Sequence, residues 1–530
     1  MNAFLQKFAL VVAGVLQGFD RLVFKGKLRE LYRPDGMNIL LGVNHVRRGQ
    51  FKPYVAEITK KLVAASLVAK AKELDRFRYL NSSSTNKEQV ARALARQHDV
   101  REGLVCVLQC VEPCWTFDTK KLPDGSLTIR GERGKCSHLY HYYLHPQFGW
   151  MYVRLQTWFP FELQIGINGR EWLARQMDRD KLRYTRSDNK FLWVENWQRA
   201  QELLDEQQQT NWVNELNALQ RQVHPSHPDL LGKMNAAYHW TVFQSELATD
   251  VAFQSAQQLQ PCFERWLRQA WLTYDSVDVL RFLGRSGVLT KKSTVTVQTS
   301  QHAHFEGKRI KHWVNRNSLK MYSHDNVLRV EMTINDPEEI KAFRRSNSVL
   351  RPRWSYMWRP LRRSVEDLPH RIVVGEKAND RYLETLAALN DTHTVRELIE
   401  PLTRRVPEPA SRKDGGQDSA ALRYVRGLNP LKAEDAQLLA AVSDPKWMVQ
   451  GLRNRDLVAT LYSEPAQDDQ EHRRRSSRIT RLLRILRGHR LLDKIPGTHR
   501  YQIPSEARTT IQNLLAVRHA NADQLTSNAA

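Results

Sequence analysis

The motifs that announce the common catalytic classes are missing from this chain. There is no Gly-x-x-x-x-Gly-Lys-Ser/Thr phosphate loop, no dinucleotide glycine fingerprint, no Gly-x-Ser-x-Gly elbow and no His-Glu-x-x-His helix. That sets aside P-loop nucleotide hydrolases, dinucleotide oxidoreductases, elbow-type serine hydrolases and zincin proteases. Cysteine is scarce and odd in number, five in 530 residues, which argues against a secreted scaffold held by disulfides. The most apolar N-terminal stretch, residues 4–19, is too short for a comfortable membrane span and is interrupted by Lys7. No small-residue cleavage site follows it, so a buried first helix in a cytoplasmic protein is expected. Internal repeats and long low-complexity tracts are also missing.

Negative charge is the other deficit. Asp and Glu total 57 against 81 Lys and Arg, a formal net charge of +24. A surplus that large sits on the surface, where it attracts polyanions and releases their counterions on contact. Nucleic acid is therefore the expected partner, ahead of an anionic membrane surface. The remaining composition, 41% hydrophobic and 26% charged, is that of a globular protein with room for roughly two to four domains.

The apolar pattern predicts an α+β, multi-domain chain: a mixed helix and sheet body followed by a C-terminal winged helix-turn-helix domain. Residues 1–102 read as mainly helical, with Phe51–Leu74 the clearest stretch and a helix start near Ser84 or Thr85. Residues 103–170 read as the sheet of the body. Its strand-like pieces are 103–111, Leu127–Arg130, Leu139–Leu144, Trp150–Thr157 and Phe161–Ile167, with turns at Pro123–Gly125, Pro146–Gly149 and Asn168–Gly169. Residues 171–292 are expected to be helical, broken at 224–228. Residues 293–405 are expected to supply strands at Ser293–Thr299, Arg309–Val314, Ser318–Tyr322 and Val327–Ile334, then helices near 336–346 and 379–401. The Pro-, Gly- and charge-rich stretch 406–427 reads as a linker, and 428–520 as the last domain.

That last domain carries the strongest pointer to a partner. In Arg473–Ile503, Ile479, Leu482, Leu483, Ile485 and Leu486 recur at helical spacing among seven arginines. Gly488 ends the helix, and a short hairpin around Pro496-Gly497-Thr498 follows. Helices are expected at Glu434–Val442, Arg453–Tyr462, Arg474–Gly488 and Ser505–Val517. This order resembles the winged-helix regulators of the MarR type, matched here by HRLLDKIPGTHRYQIPSEAR at 489–508. The resemblance implies a helix in the major groove of double-stranded DNA and a hairpin along the phosphates. Arg474, Ser477, Arg478 and Arg481 would then lie near bases or phosphates, with Lys494, His499 and Arg500 on the wing. One departure is the long, acidic connection 463–472 before the recognition helix. Across the rest of the chain, FDRLVFKG, CVEPCW, GWMYVRLQTWFPF and LRVEMTIN resemble an uncharacterised family of bacterial proteins, which brings no established activity with it.

Candidate chemistry lies in the larger part. Alternation across 318–331 puts Tyr322, Arg329 and Glu331 on one face of a hairpin. A tyrosine beside a metal-holding carboxylate is what a strand-nicking initiator or relaxase needs, and His302 and His304 just upstream make this faintly similar to rolling-circle replication initiators. A polar hairpin that binds phosphates through Lys308, Arg309, Lys311, Arg316 and Lys320 is the preferred reading of the same pattern. Glu246 and Asp250, four apart on an expected helix, would share a face. With a third carboxylate such as Asp20, Glu112 or Glu331 they would suit Mg2+ in a nuclease or transposase. Cys106, Cys110 and Cys114 are spaced by four, unlike a zinc knuckle, and read first as small buried hydrophobes. Cys136, His138, His141 and His145 leave a zinc site open as a lesser reading. Trp150, Tyr152, Arg154, Trp158, Arg353, Trp354, Tyr356, Trp358 and Arg359 interleave rings and guanidinium groups, a combination that also holds single-stranded nucleic acid.

The function expected is DNA binding within a mobile genetic element, in transposition or replication. A metal-dependent strand-cleaving or strand-transferring enzyme is the alternative, with Mg2+ as its cofactor, and a transcriptional regulator is a third.

Overall fold

In a computed structural model of the chain, the described residues are 1–33, 35–225, 227–234, 236–272, 274–284, 295–304, 307–348, 351–388, 395–407, 424–444, 447, 451–495 and 498–519. Along the body the strands are β1 (Val12–Leu28), β2 (Phe77–Leu80), β3 (Gly103–Lys121), β4 (Leu127–His145), β5 (Gly149–Gln156), β6 (Leu163–Asn168), β7 (Tyr184–Ser187), β8 (Lys190–Val194), β9 (Tyr238–Phe253), β10 (Val297–His304), β11 (Gly307–Val314), β12 (Asn317–His324), β13 (Val327–Ile334), β14 (Lys341–Ser348) and β15 (Arg351–Pro360). Eleven of them make one sheet in the order β10-β11-β12-β13-β9-β1-β6-β5-β4-β3-β2. Pairing is antiparallel except between β2 and β3 at one edge. The chain is thus an α+β protein, with the long strands β1 and β9 side by side at the middle of the sheet and the longest, β3 and β4, toward the β2 edge.

Several stretches with a helical look in sequence are strands. β1 replaces most of the helix expected over 4–19, and only Asn2–Lys7 is helical there. β9 replaces the helix expected around 244–250, and the hairpin β7–β8 interrupts the helical region expected over 171–292. The physical reason is burial on both sides. Leu16, Phe19, Leu22 and Phe24 of β1, and Leu247, Val251, Ala252 and Phe253 of β9, are buried almost completely. A run that is apolar on both faces carries no period-2 signature. β14 occupies part of the helix expected at 336–346, and the helix expected to start near Ser84 is capped by Asn86, whose Oδ1 accepts from Gln89 N at 3.1 Å. The pieces expected at Leu127–Arg130 and Leu139–Leu144 are one continuous strand, β4.

One face of the sheet is covered by helices that make the main core. The helix Trp197–Glu206 packs so closely on β1 that a Cβ at Gly14 would lie 2.1 Å from the Trp197 ring. The helix Leu368–Ala388 lies across β9, where Asn379 Nδ2 reaches Leu247 O at 3.0 Å. The opposite face is only partly covered. The helix Lys87–Gln97 buries Cys106, Leu108, Tyr140, Tyr142 and Trp150 at one end, and the β7–β8 hairpin lies against the other.

A second apolar cluster is built by Leu402, Val425, Leu428, Leu439, Leu457, Ile479, Leu483, Leu486, Leu492, Ile511 and Leu514. It unites the helices Val395–Thr403, Ala433–Ser443, Asn454–Leu461, Asp469–Gly488 and Ser505–His519. Two short ladders belong to it: β16 (Val406–Pro407) with β17 (Tyr424–Val425), and β18 (Asp493–Lys494) with β19 (Tyr501–Gln502). The middle of the expected linker, 408–423, and the expected turn residues Pro496 and Gly497 lie outside the described residues. Arg508 joins this part to the body through Asp278, NH1 to Oδ2 at 3.0 Å.

Candidate functional site

At the centre of the half-open face, three carboxylates come from three neighbouring strands: Asp20 of β1, Glu246 of β9 and Glu331 of β13. One carboxylate oxygen of each lies within 4.8 Å of the others. The convergence depends on a bulge. Phe19 pairs with Leu247 and Arg21 with Glu246, so Asp20 is the extra residue of β1. A bulge sets two residues against one, which turns Asp20 and Arg21 together toward the side of Glu246. Glu331 reaches them diagonally, because Thr333 is the direct partner of Glu246 and Ala248 that of Glu331.

The surroundings of the trio are basic. Lys320, directly opposite Glu331 on β12, places Nζ 2.6 Å from its Oε1, and the Tyr322 hydroxyl donates to Glu331 Oε2 at 3.5 Å. Gln244 Nε2 donates to Glu246 Oε1 at 2.5 Å. Asp20 Oδ1 accepts from Arg329 NH1 at 2.8 Å and from Asn189 Nδ2. Burial pushes the Glu331 carboxyl up, Lys320 opposes this, and Glu246 and Asp20 reinforce it; the result is about 7. Burial acts on Asp20 too, but Arg329, Arg170 and Arg21 outweigh it and hold that carboxyl below its ordinary range. Next along the same row, Lys311 faces Lys320. Burial, Lys320 and Arg309 bring its ammonium down to about 8.

Asp250 does not join this group. It is 1% exposed and gripped by two arginines that are as deeply buried. Arg329 donates Nε to Oδ1 at 2.5 Å and NH2 to Oδ2 at 2.7 Å, and Arg170 Nε donates to Oδ2 at 3.1 Å. Arg329 therefore clamps Asp250 while holding Asp20, which makes Asp250 a brace behind the trio. Asp250 and Glu246 do share a face, because four residues is two full periods of a strand. Glu112 lies elsewhere, bound by Tyr140 at 2.6 Å and Lys87 at 2.8 Å. Asp20 had only been one of several candidate third ligands, since the bulge has no mark in the sequence.

The trio offers oxygen donors only, the preference of a hard divalent cation such as Mg2+. Burial, with Glu246 and Asp20 close by, keeps the Glu331 carboxyl raised in spite of Lys320. The donors that hold Asp20 and Glu246 engage Oδ1 and Oε1, so among the described residues no hydrogen bond takes the second oxygen of either. These side chains fit a cation held between them.

The other expected site residues are placed as follows. Arg474, Ser477, Arg478 and Arg481 are on the exposed side of the helix Asp469–Gly488, opposite the buried Ile479, Leu483 and Leu486. Lys494 and His499 are exposed, and Arg500 is half-buried, around the β18–β19 ladder. The helix begins five residues before the expected start. Its acidic entry is accounted for by capping: Asp468 Oδ1 accepts from Glu471 N at 2.6 Å, and Glu471 pairs with Arg475 at 2.6 Å.

His302 is exposed on the edge strand β10, directly opposite Arg309. Trp150, Tyr152 and Trp158 pack within the body; Trp150 and Tyr152 flank Tyr142, and Trp158 Nε1 donates to Phe117 O at 3.1 Å. By contrast, Phe343, Tyr356 and Trp358 are exposed on the β14–β15 hairpin, with ring centroids 5.7 to 5.8 Å apart. The side chains of Arg353 and Trp354 lie outside the described residues.

Comparison of the chain with family models, curated proteins and solved structures found no match.

Proposed function

We propose that this protein is a metal-dependent DNA strand-cleaving or strand-transferring enzyme, with Asp20, Glu246 and Glu331 as the ligands of Mg2+ and the C-terminal part as a winged-helix DNA-binding domain. The convergence of three buried carboxylates from β1, β9 and β13 beside lysines carries the reading. A bound Mg2+ supplies charge stabilisation at a phosphoryl group and a more acidic water. Arg329 and Asn189 hold Asp20 in place, and Tyr322 orients Glu331 through its hydroxyl. Lys311 and Lys320 present ammonium groups to the strand being cut. The exposed arginines of the helix Asp469–Gly488 supply duplex affinity, and the β14–β15 rings suit unpaired bases. A body of this size beside such a DNA-reading tail fits work in transposition or replication better than plain repression.

The test uses supercoiled plasmid with Mg2+ or Mn2+ and the full-length protein. Wild type should nick or linearise it, while Asp20→Asn and Glu246→Gln should reduce the rate by more than about 100-fold and still retain DNA. A triple change of Arg474, Arg478 and Arg481 to Ala should weaken duplex retention and flatten its salt dependence, each lost phosphate contact lowering the slope by about 1. Cleavage that survives Glu246→Gln at the wild-type rate refutes the site. Retention unaltered by the triple change refutes the DNA-reading helix.

A further inference from the structure

The two 19-residue strands, β3 and β4, extend well past the level of the carboxylate trio. At the far end of β3 and β4 from the carboxylates, Cys114, Cys136 and His138 bring one ligand atom each within 4.8 Å of one another. Cys114 sits opposite Gly134 on β4, so it meets Cys136 diagonally, Sγ to Sγ at 3.3 Å. Cys136 and His138 are two apart on one strand and thus face the same way. The imidazole is fully buried, and its Nδ1 lies 3.1 Å from Cys136 O, a contact that puts the ring proton on Nδ1. Its Nε2 is buried without a hydrogen-bond partner in the molecule. An orphaned buried acceptor is costly, and a backbone carbonyl that fixes the tautomer is the usual outer support of a metal-binding histidine.

We propose that Cys114, Cys136 and His138 form a zinc site, with two thiolates and the Nε2 of a neutral imidazole as protein ligands. Sulfur and imidazole select zinc over the hard cation of the carboxylate trio. Each thiol releases its proton to solvent as its sulfur enters the coordination sphere, leaving the cation's charge balanced by two thiolates. Burial, followed by Arg154, already keeps His138 unprotonated by bringing its imidazole down to about 4. Cys114 is only half-buried, so solvent could supply a fourth ligand. The site ties β3 to β4 next to Trp158, whose ring packs on Phe51, and it is independent of the Mg2+ reading.

Full-length protein purified under reducing conditions should contain about one zinc per chain. Replacement by Co2+ should give the intense near-ultraviolet thiolate-to-cobalt absorption, and zinc should shield Cys114 and Cys136, but not Cys262, from alkylation. Cys114→Ser and His138→Gln should each lower metal content to well under half an equivalent, while Cys262→Ser leaves it unchanged. The proposal is overturned if wild type shows no thiolate band with Co2+ and no alkylation shielding, or if peptide mapping of the reduced preparation finds Cys114 and Cys136 already joined as a disulfide. The wild-type spectrum and shielding decide the matter even where a variant fails to fold.

Discussion

Two residues of the carboxylate face titrate close to neutrality, in opposite senses. Glu331 must lose its proton to bind a cation, and its carboxyl stands at about 7; Lys311 offers positive charge only while protonated, and its ammonium stands at about 8. Mg2+-dependent cleavage should therefore follow a narrow bell, rising through about pH 7 and falling through about pH 8. Lys311→Arg should move the alkaline limb upward without moving the acid limb, which initial rates between pH 6 and 10 would show. Arg329 carries a different burden, since it neutralises both Asp20 and Asp250 in the interior. Arg329→Met would strand two buried carboxylates, and a loss of about 3–5 kcal/mol in urea unfolding is expected. Conversely, Arg316 and Lys308 on the hairpin ends are surface groups, and their removal should leave unfolding midpoints unchanged.

Among the elements, β1 decides where the site is, and it was the least legible in the sequence. Its apolar residues face both ways, so neither period shows, and the bulge at Asp20 has no residue signature of its own. The strands β11 to β13 were legible because polar and apolar residues alternate there, around a turn in which Asp325 takes φ +54°. The grouping of Glu246 with Glu331 was half visible: Glu331 stood among the possible third carboxylates for Glu246, but Glu246 read as helical and Asp250 as its partner, whereas both acids lie on strands and Asp250 is held by arginines. Legibility was best in the helix Asp469–Gly488, where five apolar residues at helical spacing admit only one element. The bulge has its own structural support. Gly169, first residue of the helix Gly169–Arg179, lets the Phe19 carbonyl approach so closely that a Cβ there would lie 2.0 Å from Phe19 O. Gly169→Ala must push β1 away at the bulge. It should weaken Mg2+ binding about 10-fold or more by calorimetry, although residue 169 touches no ligand, and also lower stability by about 1–3 kcal/mol.

At the scale of the whole molecule, burial of neutral histidines sets the acid limit. Burial brings His141 and His312 down to about 4 and His224 to about 3. Their hydrogen bonds are to Val153 O, to Thr299 and Tyr382, and to Tyr238. Unfolded, each takes a proton near its ordinary 6.5, so between about 6.5 and 4 the unfolded chain binds more protons than the folded one. The stability they contribute is complete above pH 6.5 and is lost as pH falls toward 4. Glu331 and Glu376, both pushed up to about 7 by burial, act in the opposite sense over about 4.5 to 7, and the histidines prevail by number, since His138 is also brought down to about 4. Melting temperature should thus drop steadily from pH 6.5 to 4, and His141→Gln should flatten part of that slope.

The two-stranded clasp of β16 and β17 has a consequence for chain continuity. Leu402 before it, Val406 and Val425 within it, and Leu428 after it all pack into or against the smaller core, while 408–423 joins the two strands. A protease that severed a bond in that bridge would cut the polypeptide without freeing the tail, because the helix Val395–Thr403 is already part of the tail's interior. The covalent link between the body and the C-terminal part would then be replaced by packing alone, and the two pieces would still travel as one particle.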